Sequence, residues 1–307
     1  MYQEVRPSRP LVIGLQTLLY RTPVAAVEKT LDALHHSSFI GRSEGMCDGF
    51  LIAIGDASPT RSLSDAQLDE WRERYQHFDG ISYRFFDKNV GTSRGHNVLA
   101  KALDHAEYLI FANPDVVPDA RAIWRMAAAF DDPQVGMVEA KQLPIEHPKD
   151  YDPGTGHTSW ATTAFAMTPR ELFTELGGFD AKTFFMYCDD LDYSWRVREA
   201  GRTVIFQPAA VVFHDKELSV EGKWMPTQAE RQYSAQAALL LAHKWSREDV
   251  LERLSNSFRE SGSPEHRAAL REFERRKRAG ALVPQRDRDH VIGTFTPRAF
   301  TKHRFWL

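Results

Sequence analysis

LVIGLQTLLYRTPVAAVEKTLDAL, residues 11 to 34, decides the fold. Its first ten residues are almost continuously apolar, the pattern of a strand covered on both faces, as in a parallel sheet. Thr22 and Pro23 then supply an N-cap and a first helical residue, and Val24, Val27, Leu31 and Leu34 recur at helical spacing. The unit is a strand followed by a helix, and it repeats. FLIAIGDAS (Phe50 to Ser58) and ISYRFF (Ile81 to Phe86) read as second and third strands. A helix from near Ser93 presents Val98, Leu99, Ala102 and Leu103, and YLIFANPD (Tyr108 to Asp115) reads as the fourth strand. This alternation predicts an α/β fold with a mostly parallel central sheet flanked by helices.

The chain of 307 residues is long enough for a sizeable core, and 42% hydrophobic with 26% charged residues is ordinary globular composition. Lys plus Arg is 39 against 42 Asp plus Glu, a net charge of -3, which argues against nucleic-acid binding driven by overall charge. No apolar run reaches the length of a membrane span, and Glu4, Pro7 and Pro10 break any signal-peptide pattern, so the expected location is the cytosol. Cys47 and Cys188 are too few for a disulfide framework and read as free thiols.

Farther along, Asp119 can cap a helix showing Ile123, Met126, Ala127 and Phe130, and Pro144 to Gly156 reads as a long loop. Thr168, Pro169 and Glu171 suggest a capping-box start to a short helix that Gly177 ends. Beyond residue 220, Arg231 to Trp245 has helical core spacing, followed by REFERRKRAG (Arg271 to Gly280) and an aromatic end at Phe305 and Trp306. The expected division is a catalytic domain over 1 to 220, with halves at about 10 to 118 and about 119 to 220, then a C-terminal helical extension over 221 to 307.

Each of the first four strands ends in polar residues: Gln16 and Thr17, Asp56 and Ser58, Asp87 and Asn89, Asn113 and Asp115. In open parallel sheets ligands bind outside the carboxyl ends of the strands, so these clusters are expected to line one crevice. The phosphate-gripping G-x-G-x-x-G and G-x-x-x-x-G-K-[ST] and the metal-binding H-E-x-x-H are absent, which disfavours a dehydrogenase, a P-loop NTPase and a zincin. Asp115 reads either as a ligand for a divalent cation or as part of a turn. Asp189, Asp190 and Asp192 read either as a helix start favoured by the macrodipole or as the site of a base that takes a proton from a hydroxyl. His214, at the end of the apolar run AAVVFH, is either structural or a partner of Asp115 at a metal.

The order of these pieces resembles the family 2 glycosyltransferases of GT-A fold, especially their bacterial rhamnosyltransferase-like branch. The resemblance covers roughly residues 10 to 245 and rests on the strand ending at Asp56 and Ser58, NVGTSRGHN (Asn89 to Asn97), NPD in place of the metal-binding DxD, ELGGFDAKTFFMYCDDLDYSWRVREAG (Glu175 to Gly201) and His214. It implies a GT-A nucleotide-sugar-binding fold and inverting transfer from a dTDP- or UDP-linked sugar, rhamnose in the commonest case, to a glycan or glycolipid hydroxyl in surface polysaccharide synthesis. By the same resemblance Asp56 holds the nucleobase with Thr17 beside it, and Asn89 and Gly91 lie along the nucleotide or diphosphate. Asp115 binds Mg²⁺ or Mn²⁺ with His214 as a second ligand, Asn113 takes the first DxD position, Asp190 is the general base and Asp189 fills the neighbouring Glu position.

Two other readings compete. A nucleotidyltransferase would carry a basic Gly-rich loop after the first strand, where only Arg21 stands. A non-catalytic nucleotide-sugar or glycan-binding module would have no turnover for Asp190 to support. Arg275, Arg276, Lys277 and Arg278 read as a solvated helix face or as a peripheral contact with anionic lipid.

Overall fold

A computed structural model describes residues 6–146, 149–215 and 226–296. The opening stretch forms β1 (Leu11–Leu19), buried along nearly its whole length, and α1 (Val24–Ser43). Thr22 does not cap α1. Its hydroxyl accepts the Tyr20 N–H at 3.3 Å instead, and Pro23 takes the cap position one residue later than the sequence suggests. The parallel half is completed by β2 (Cys47–Asp56), α2 (Asp65–Arg74), β3 (Gly80–Phe85), α3 (Thr92–Leu99) and β4 (Tyr108–Ala112). Then come β5 (Val116–Pro118), α4 (Ala122–Ala127), β6 (Val135–Leu143), β7 (His157–Thr158), β8 (Phe165–Pro169) and α5 (Arg170–Glu175). The acidic cluster opens α6 (Asp189–Glu199), and β9 (Thr203–His214) ends at the candidate ligand. The last helices are α7 (Gln228–Lys244), α8 (Glu248–Glu260) and α9 (Pro264–Arg278).

The sheet runs in the order β3-β2-β1-β4-β8-β6-β9-β5, with β7 beside β9. Its first four strands are parallel, as the β-α alternation requires. The second half is mixed, because β8 enters antiparallel between β4 and β6 while β6 and β9 run parallel. Antiparallel β8 also removes the expected capping box. Thr168 lies in the sheet, where its hydroxyl donates to the Gly136 carbonyl at 2.7 Å and meets the Tyr193 hydroxyl at 2.9 Å, so it is not free to cap α5. A capping box does form at α7, where Thr227 and Glu230 satisfy each other's backbone N–H groups.

One buried cluster packs α1, α2 and α4 on one face of the sheet, and a second fills the other face around Phe111, Phe179 and Tyr193. A third joins α6 to α7, α8 and α9, with Trp195 edge-on to Trp245 at 5.2 Å. Among the described residues no helix is long and apolar enough to cross a membrane. Phe305 and Trp306 lie outside the described residues.

Candidate active site

At the end of β2, Asp56 is fully buried. Its Oδ1 accepts the Ser58 N–H at 3.0 Å, and its Oδ2 accepts the Ser62 N–H at 2.7 Å and the Tyr83 hydroxyl at 2.6 Å. Burial pulls this carboxyl upward, but the hydrogen bonds from Ser58, Tyr83 and Ser62 outweigh it and hold the group below its ordinary value. An ionised carboxylate is acceptor-only, and these donors hold Asp56 in that form at the end of β2. Beside it in the sheet, Thr17 pairs in register with Ile54 of β2 and Ala112 of β4. Its buried hydroxyl finds no partner among the described residues, and neither does the side-chain amide of Gln16. Asn89 folds its Oδ1 onto the Gly91 N–H at 3.0 Å.

Asn113, Pro114 and Asp115 do form a turn, since the Val116 N–H donates to the Asn113 carbonyl at 3.2 Å. The turn also brings a carboxylate and an imidazole together. β5 and β9 pair Val116 with His214, which brings His214 Nε2 to 3.5 Å from Asp115 Oδ1 and 3.4 Å from Asn113 Nδ2. His214 is buried, whereas the Asp115 side chain is 37% exposed and open to a ligand. Among the described residues there is no cluster of three or more His, Cys, Asp or Glu able to hold a metal, so the protein itself offers this pair. A carboxylate oxygen beside an imidazole is a donor set that suits Mn²⁺ or Mg²⁺ with further oxygens from a ligand.

The three acids of the other cluster have three different surroundings. Tyr187 and Cys188, directly before them, both adopt left-handed backbone, at φ of 66° and 56°. Side-chain-bearing residues take this conformation only where surrounding structure imposes it. Asp189 Oδ2 accepts hydroxyls from Thr92 at 2.8 Å and Ser93 at 3.0 Å, at the N-terminus of α3. Gly91 allows that approach: at its φ of 74° a Cβ would lie 2.2 Å from the Phe185 carbonyl oxygen. Asp190 is 1% exposed. It accepts the Leu191 N–H on Oδ1 at 2.9 Å and the Ser194 hydroxyl on its backbone carbonyl at 2.7 Å. Asp192 points the other way, into a buried network with Arg196 at 2.9 Å, Lys244 at 2.7 Å and Trp245 at 3.1 Å. It ties α6 to α7.

The segment from 161 to 164 touches both acidic regions. Ala161 N–H donates to the Ser194 hydroxyl at 3.0 Å, one turn from Asp190, and the Ala164 carbonyl accepts the Asn113 N–H at 2.9 Å. Sequence reasoning did not single out Thr92, Ser93, Gln142 or Lys244. Two of these hydroxyls stand in the quoted NVGTSRGHN, but their carboxylate partner lies almost a hundred residues away. His96 of the same segment is a core residue, edge-on to Phe111 at 5.4 Å, and burial lowers it to about 3, so it is neutral. A cavity of about 600 Å³ lies behind α6, lined in part by Gly178, Lys182, Arg196, Lys244 and Arg286; Asp56, Asp115, Asp190 and His214 do not line it. Arg275 and Arg276 both pair with Glu272.

No family model matches the chain. Over 68 residues it is 32% identical to the N-acetylglucosaminyl-diphospho-decaprenol L-rhamnosyltransferase of Mycobacterium tuberculosis, in two strains, a stretch that is 22% of this chain and 22% of that relative. Solved structures are similar across most of the chain, and two illustrate the likeness. GalNAc-T7 with UDP, GalNAc and Mn²⁺ matches at a TM-score of 0.63 and 13% identity, covering 88% of this chain and 55% of that one. The mannosyltransferase PcManGT from Pyrobaculum calidifontis, in complex with GDP-Man and Mn²⁺, matches at 0.55 and 17%, covering 91% and 83%. The curled, helix-flanked sheet is thus the GT-A fold of the glycosyltransferases, and the partial sequence match falls on the rhamnosyltransferase-like branch that the motifs resemble.

Proposed function

We propose that the protein is an inverting glycosyltransferase that moves a sugar, rhamnose in the reading the partial relative favours, from a dTDP- or UDP-linked donor to a hydroxyl of a glycan or glycolipid. Asp56 and Thr17 receive the nucleobase, and Asn89 and Gly91 flank the diphosphate. Asp115 and His214 hold a divalent cation, Mg²⁺ or Mn²⁺, which when bound supplies positive charge to the departing diphosphate. Asp190 accepts the acceptor proton as the new C–O bond forms at the anomeric carbon and the bond to the diphosphate oxygen breaks from the opposite face. Asp189, anchored to α3, positions that helix start. Because Asp190 is buried, the groups covering it must move aside when the acceptor enters.

The observation that carries this reading is the left-handed turn at Tyr187 and Cys188, which delivers Asp190 to a helix N-terminus linked through residues 161 to 164 to the Asn113 turn. Structural neighbours solved with nucleotide sugars or nucleotide and Mn²⁺, and a relative whose name specifies a diphospho-decaprenol acceptor, support it. The test is a donor screen that follows nucleoside diphosphate release with and without Mn²⁺ or Mg²⁺. Release dependent on a lipid-linked glycan acceptor establishes transfer. Release of pyrophosphate from a nucleoside triphosphate would instead make the protein a nucleotidyltransferase, and donor binding without release a binding module.

A further inference from the structure

We propose that Gln142 is a positioning residue that fixes the tautomer of His214, placing the ring proton on Nδ1 so that the Nε2 lone pair faces Asp115; the inference rests on the metal-site reading above. Gln142 and His214 come together through the sheet. β6 and β9 run parallel with Gln142 opposite Val212, so Val212 and, two residues on, His214 project from the same face as Gln142. The result is a contact of 2.7 Å between Gln142 Oε1 and His214 Nδ1, with both side chains buried.

A neutral imidazole has one ring proton, and the two sides of His214 compete for it unequally. At Nδ1 an amide oxygen waits at full hydrogen-bonding distance. At Nε2 the nearest groups stand farther off, Asp115 Oδ1 at 3.5 Å and Asn113 Nδ2 at 3.4 Å, neither close enough for a good bond. The proton therefore resides on Nδ1. Asn113 acquires a role in the same arrangement: where the family pattern has a carboxylate, this chain has an amide that faces the ring nitrogen without adding charge.

Gln142 is held in place from its backbone, where Glu146 Oε2 accepts its N–H at 2.6 Å.

The experiment has two readouts on the full chain. Ring-nitrogen NMR of ¹⁵N-histidine-labelled, metal-free protein, with His214 assigned by His214→Asn, reports the tautomer directly. Mn²⁺ binding followed by electron paramagnetic resonance in the presence of UDP reports the site. Wild type is expected to show Nδ1 protonated, Gln142→Glu to keep that state, and Gln142→Met to lose it and to bind Mn²⁺ about 10- to 100-fold more weakly, the usual cost of removing such an outer partner. An Nε2-protonated His214 in wild type, or Mn²⁺ binding by Gln142→Met equal to wild type, overturns the inference while leaving the metal site standing. If His214→Ala and Asp115→Ala also bind Mn²⁺ as wild type does, the metal-site reading fails as well.

Discussion

The side chain of Asn97 and the backbone of Phe179 exchange two hydrogen bonds: Nδ2 donates to the Phe179 carbonyl at 2.7 Å, and Oδ1 accepts the Phe179 N–H at 2.8 Å. This pair stitches α3 to the Gly-Gly-Phe-Asp loop. Gly178 makes it possible, because at its φ of 71° a Cβ would stand 2.5 Å from Asn97 Oδ1. The end of NVGTSRGHN and the start of the segment leading to Asp190 thus form one unit.

Replacing Asn97 with Ala strands a donor and an acceptor of the loop backbone. The expected cost is about 1 to 3 kcal/mol, read as a lower urea midpoint with unchanged slope. Turnover should fall with it, since the loop leads into the turn before Asp190.

Asp189 and Asp190 should separate in kinetics. Asp190→Asn is expected to lower kcat by about 10²- to 10⁴-fold with donor KM nearly unchanged and the fold intact by circular dichroism. Asp189→Ala, which deprives the Thr92 and Ser93 hydroxyls of their acceptor, should show a stability loss in the same urea titration. A normal kcat for Asp190→Asn would remove it from the role of base.

Asp192 serves stability. Its carboxylate is fully buried between Arg196, Lys244 and Trp245, so Asp192→Ala leaves buried cations short of a partner and should cost about 3 to 5 kcal/mol. The double variant Asp192→Ala with Lys244→Met should lose less than the sum of the single losses.

The acid limb of stability should depend on Asp180 and Asp56. Burial pulls Asp180 upward, but the Lys244 ammonium and Thr183 hold it below the ordinary carboxylate range; Asp56 is depressed by its own hydrogen bonds. A carboxyl depressed in the folded state contributes stability that is fully present above its unfolded pKa, about 3.9, and is lost as pH falls through the lower folded value. Urea midpoints from pH 7 to pH 3 should therefore drop for wild type, and Asp180→Asn should flatten that drop.

Chelation tests the metal. Excess EDTA is expected to suppress donor turnover, with recovery on adding Mn²⁺ or Mg²⁺. If Asp115 holds the cation as proposed, Asp115→Ala should raise the half-saturating Mn²⁺ concentration by about tenfold or more, because a direct ligand matters at least as much as an outer partner. Unchanged turnover in EDTA would rule out the cation.

Much of this architecture is local information. Hydrophobic runs such as Leu11 to Leu19 and the helical spacing behind them are set by which neighbouring side chains need burial, so the parallel strands and their polar ends were legible in order. The start of α6 at Asp189 and its stop near Gly201 were legible for the same reason. Thr168 shows the limit: its local sequence matches a cap, but a neighbouring strand offers its hydroxyl a buried carbonyl.

Which acid does what was decided only in three dimensions. Asp189, Asp190 and Asp192 are near-identical in sequence, yet one meets α3, one stays at the helix start and one enters an ion network with α7. Helical rotation of about 100° per residue sends them to different sides, and what waits there comes from residues tens of positions away. Composition and periodicity determine that a strand or helix forms and which face is buried. Partners such as Gln142 for His214 depend on strand register, a property of the assembled sheet that no local window of residues contains.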